Sequence, residues 1–125
     1  MTTEEKIKRL NIENIIWIIY SFIVLFSIYS VELQKNYISN KDFKSKLKAR
    51  NINISISIIV FFIYIYFLEI NYKDFKNVSN SSVNNNDYKI YFINLVGSIL
   101  FLIGGIINIY VNINSNISEE EISII

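Results

Sequence analysis

The sequence predicts an all-α membrane protein with three transmembrane helices, at about 14–33, 52–70 and 90–111, in a small bundle. Three observations predict it. Apolar residues make up 52% of the 125-residue chain and its mean hydropathy is +0.35. Those residues gather into three blocks. Each block is long enough to cross a hydrocarbon core of about 30 Å at about 1.5 Å per residue.

The first block, NIIWIIYSFIVLFSIYSVEL, carries no charge until Glu32. Trp17 and Tyr20 lie toward one end, where aromatic rings favour the membrane interface. Lys6, Lys8 and Arg9 precede it, as in the basic region of a signal peptide. Its apolar stretch exceeds the roughly 7–15 residues of such a peptide, and no small-residue cleavage site follows. A retained span is the expectation.

The second block, INISISIIVFFIYIYFLEI, opens with a period-two alternation that would suggest a strand in water. Its uncharged length before Glu69 decides for a helix. In lipid, a lone segment satisfies its backbone groups only as a helix. The third block, IYFINLVGSILFLIGGIINIYV, is uncharged throughout.

The chain is read as one membrane domain with four polar parts. These are a short N-terminal tail (1–13), a basic loop (34–51), an Asn- and Ser-rich loop (71–89) and an acidic C-terminal tail (112–125) containing Glu119, Glu120 and Glu121. Lys and Arg number three before span one, six in the first loop, three in the second and none in the tail. Summed over alternate sides this is a tie. The dense charge beside span two favours that loop inside, with the N-terminus out and the C-terminus in. Lys outnumbers Arg ten to two, Ile and Asn abound, and Ala49 is the single alanine. AT-rich coding DNA produces that bias, so a bacterial cytoplasmic membrane is the expected home.

Span three carries the most information. Gly97, Gly104 and Gly105 are the only glycines in the chain. At 100° per residue they share an arc of about 120° with Asn94, Ser98, Phe101, Asn108 and Asn112. Gly97/Gly104 and Ser98/Gly105 recur every seven residues, as does Asn94/Phe101/Asn108. Small residues let helix backbones approach, and Asn side chains hydrogen-bond across the contact. The face packs either within the chain or against a second copy or another membrane protein. A polar pore lining is a third reading. The three glycines are expected to resist replacement by Leu, and Ile103 and Ile106 on the opposite arc to tolerate it.

Lys41, Lys44, Lys46, Lys48 and Arg50 crowd the first loop. They orient the chain, and they also suit anionic lipid headgroups. Asn40 is placed to cap a short helix on which Phe43 and Leu47 face lipid. Glu32 with Lys35, and Glu69 with Lys73, are spaced for local ion pairs at the span ends.

The absences exclude much. Without His or Cys the chain lacks the commonest general base, thiolate chemistry and disulfides. It shows no phosphate-binding glycine loop and no ionisable group inside a span. No catalytic, cofactor-binding or metal residues are assigned, and no cofactor is expected. One basic loop at a bilayer offers no groove-reading element for nucleic acid.

Two function classes remain. One is a small interaction protein of the membrane, of accessory, regulatory or immunity type. The other is a self-assembling pore former of the phage-holin kind, which shares the small size and few spans. The acidic tail argues against the second, since holin tails are typically basic.

Overall fold

The computed structural model describes residues 2–79 and 85–114. It is all-helical. The helices are α1 (Thr3–Asn40), α2 (Phe43–Ser79) and α3 (Asn85–Asn114). All three are long and apolar enough to cross a membrane. The acidic run Glu119–Glu121 lies outside the described residues.

The helices outrun the expected spans. At 38 residues α1 is about 57 Å long at 1.5 Å per residue. The N-terminal tail, the expected basic loop and much of the Asn/Ser-rich segment are therefore helical. Helix nucleation is the costly step, and each uncharged span already supplies a nucleus. Continuing the helix into the polar flank adds one hydrogen bond per residue, and the flanks hold the means to support it.

Thr2 caps α1 by accepting from the Glu5 backbone N–H at 3.2 Å, and the Thr2 carbonyl accepts from Lys6 N at 3.1 Å. Thr-x-x-Glu is a sequence signature of a helix start. Glu4 and Glu5 in that first turn also oppose the helix dipole. Both anticipated ion pairs form, Glu32–Lys35 at 3.0 Å and Glu69–Lys73 at 3.1 Å. They are exposed and contribute little to stability.

Only Lys41 and Asp42 separate α1 from α2. Lys41 turns the chain in the left-handed region (φ 53°, ψ 40°). Asp42, not Asn40, caps the following helix. Its Oδ1 accepts from Lys44 N at 3.1 Å and its carbonyl accepts from Lys46 N at 3.3 Å. Asn40 is instead the last residue of α1, and its amide donates to Asn36 Oδ1 at 2.6 Å. Asp42 out-competes it because it sits next to the first free N–H groups of α2.

The chain divides into two compact units within the helices. The first takes in α1 and α2 up to Asn53. Here α1 and the start of α2 are antiparallel. Ser30 Oγ donates to Asn53 Oδ1 at 2.9 Å, with the Ala49 carbonyl at 3.5 Å as a second acceptor. Gln34 donates to Ser30 Oγ at 3.4 Å. Nearer the turn, Asn36 donates to Ser45 Oγ at 2.9 Å, and Tyr37 meets Phe43 edge-on at 5.4 Å. Ser30 is 1% exposed and Ala49 3%. The chain's one alanine thus stands where two helices touch.

The second unit spans Ile54–Ser115, and α2 and α3 are antiparallel in it. Tyr64 packs on Phe101 at 5.5 Å, and Phe75 on Tyr88 and Phe92 at 5.3 and 5.8 Å.

Burial runs opposite to that of a water-soluble domain. Ser30, Ser45, Ser57, Ser98 and Asn112 are buried. Trp17, Phe22, Leu25, Leu100 and Tyr110 lie about 60% exposed or more. Water would penalise so much apolar surface. Lipid does not, and between helices in lipid, close packing and hydrogen bonds replace the hydrophobic drive. The chain is a multi-pass membrane protein in contact with the bilayer.

Candidate helix-packing site on α3

The seam between α2 and α3 is built from small and amide side chains and one tyrosine at seven-residue spacing. On α3 these are Ser98, Gly105 and Asn112, all buried. On α2 they are Ser57, Tyr64 and Asn71. Two helices that meet on a seven-residue repeat hold the same faces together along their length.

Each level of the seam has its own chemistry. Asn108 donates to Ser57 Oγ at 3.2 Å, and Asn112 donates to the same oxygen. A hydroxyl oxygen has two lone pairs, so one serine accepts both amides. At the middle level a Cβ on Gly105 would stand 3.2 Å from Tyr64 Cδ2 and 3.8 Å from Phe61 Cδ2. Glycine here is what lets the Tyr64 ring lie against the α3 backbone. At the third level Asn71 donates to Ser98 Oγ, which donates to the Asn94 carbonyl at 3.1 Å.

The other half of the arc is open. Among the described residues nothing lies within 4 Å of a Cβ placed on Gly97 or Gly104. Asn94, Phe101, Gly104 and Asn108 are exposed and Gly97 is partly so. These glycines line an open groove of about 500 Å³ within the second unit, walled by Val60, Tyr64, Leu100 and Phe101. The eight residues of the arc thus divide into a buried row and an outward row. Their sequence spacing alone did not separate the two rows. Ser57 and Asn71, the acceptor and donor supplied by α2, went unnoticed in the sequence. The serine-rich INISISI start of span two was the available signal.

The basic residues lie at the α1–α2 turn. Lys41, Lys44 and Lys48 are exposed, and Lys46 and Arg50 partly so. The Lys46 ammonium stands 5.4 Å from the Tyr37 ring centroid and 6.0 Å from that of Phe43. Asp42 accepts from Ser45 Oγ at 2.9 Å. That hydrogen bond, helped by the Lys44 and Ser45 backbone N–H groups and the Lys44 charge, holds its carboxyl below the ordinary range.

Among the described residues no cluster of acidic side chains is grouped as metal ligands would be. No protein-family model matches the chain, and no curated protein or solved structure is significantly similar to it.

Proposed function

We propose that this protein is non-enzymatic and acts by docking a transmembrane helix of another membrane protein on the outward row of α3, in an accessory, regulatory or immunity-type role. One observation carries the reading. Among the described residues, nothing lies within 4 Å of a Cβ placed on Gly97 or Gly104. Each glycine costs a helix about 1 kcal/mol relative to Ala. Gly105 recovers that cost through its contact with Tyr64; the other two have no such return among the described residues. An outside helix that needs close backbone approach offsets it. The setting that fits is a bacterial cytoplasmic membrane, with the basic turn inside.

A self-assembling pore is the second reading, favoured by Asn94 and Asn108 lying exposed beside the glycines. A photo-crosslinking residue at Leu100 separates the two. Adducts to one other membrane protein, lost in Gly104→Leu, support docking. Adducts of twice the chain's mass, with collapse of membrane potential on induction, support the pore. If Gly104→Leu leaves every adduct in place, the groove is not the interface and both readings fail.

A further inference from the structure

The net charge of the described helices lies in one place. Residues 41–50 carry five cations against the single acid Asp42, a net +4. Elsewhere the described residues carry seven Lys and Arg against seven Asp and Glu. The charge of Asp42 is committed to the helix cap and to Ser45.

Lys41 lies in the turn, and the other four cations are on a helix. α2 runs without a break from Phe43 through Arg50 into residues 51–68, which carry no charge. The first two turns of the helix therefore stand at the rim of the hydrocarbon layer. Buried Ser45 and Ala49 mark the side that packs on α1. At 100° per residue, Phe43 and Leu47 lie about 160° away from them. They are 63% and 56% exposed. Lys44 and Lys48 flank this apolar pair on one side, and Lys46 and Arg50 on the other. An apolar strip between two rows of long cations is the arrangement that sinks into acyl chains while its charged ends reach the phosphate layer.

We propose that the first two turns of α2 form a binding site for anionic lipid headgroups. Phe43 and Leu47 lie at the acyl boundary, and Lys44 and Lys48, with Lys41, meet the phosphate. Charge complementarity selects the occupant. The site requires negative charge, and its apolar strip requires that the charge be carried on a lipid.

The test uses the full chain with Trp17→Phe and Phe43→Trp, which leaves one tryptophan, at the site. It is reconstituted in phosphatidylcholine vesicles containing a minor fraction of either brominated phosphatidylglycerol or brominated phosphatidylcholine. The anionic lipid is expected to quench the tryptophan more strongly. Lys44→Gln with Lys48→Gln should lower that preference by about fivefold per lysine, and high salt should weaken it. Lys73→Gln with Lys76→Gln should leave it intact, and far-UV helicity should be unchanged in all variants. Equal quenching by the two lipids overturns the proposal. So does a preference that appears only after Glu119, Glu120 and Glu121 are changed to Gln, because the occupant is then the chain's own acidic tail.

Discussion

Asn112 on α3 donates its side-chain amide to Ser57 Oγ on α2, 55 residues away, and both side chains are buried. Asn108 donates to the same oxygen. One hydroxyl therefore holds two amides of a neighbouring helix. Ser57→Ala removes their shared acceptor with little change of volume. We expect a loss of about 1–2 kcal/mol in α2–α3 association, the range for hydrogen bonds between helices in membranes. Asn112→Ala should cost a similar amount, and the double variant less than the sum. Unfolding titrations of single and double variants in mild detergent measure this. Full additivity would mean that the bond contributes nothing.

Gly105 and Gly104 should part company. A side chain at Gly105 meets the Tyr64 ring at once, so Gly105→Leu should cost about 1–3 kcal/mol by overpacking and lower abundance. Trimming the ring with Tyr64→Ala should restore part of it. Gly104→Leu and Gly97→Leu point into open space and should leave the fold and abundance unchanged, as should Ile103→Leu and Ile106→Leu. Thermal melts and membrane abundance read the difference. Equal damage from Gly104→Leu and Gly105→Leu would refute the division of the arc.

The chain has no cysteine, so single cysteines label without background. Ser45 is a poor reporter because it is buried beside Asp42. Ser39, next to the end of α1, and Ser79, the last residue of α2, are exposed and lie on either side of the second span in the sequence. With the basic turn inside, an impermeant reagent applied to intact cells should label Ser79→Cys and spare Ser39→Cys. The reverse pattern would invert the orientation.

The Asp42 cap depends on pH. Its carboxyl titrates below the ordinary value, chiefly because Ser45 hydrogen-bonds the ionised form. A lowered folded value means the cap stabilises fully above the unfolded carboxylate value, about 3.9. That stability is lost as pH falls through the lower folded value. Protection of the Lys44 and Lys46 amides, measured against their intrinsic exchange rates, should fall only in that acid window, and Asp42→Asn should make that protection insensitive to pH. A loss of protection near neutral pH would assign the cap to another group.

Much of this was legible in the sequence because lipid leaves the chain few choices. An uncharged stretch such as 90–111 has one way to satisfy its backbone in hydrocarbon, so three blocks meant three helices. The glycine arc was visible from spacing alone, as were the pairs Glu32–Lys35 and Glu69–Lys73. The polar flanks look like loops in the sequence and are largely helical in the structure. Their helical support comes from particular contacts, such as Asp42 with Lys44 N, that composition does not reveal.

What the sequence determined by itself was the number of crossings, because burying an unpaired peptide group in hydrocarbon costs too much for any alternative. Which side of the arc meets a partner was decided only by tertiary structure. Ser98 and Asn112 became buried, and Gly97 and Gly104 did not, because α2 brings Asn71, Tyr64 and Ser57 against one row of α3 and reaches the other only at Phe101 and Asn108. Helical periodicity places residues on a common face, but only a neighbouring helix chooses the edge of that face against which it packs.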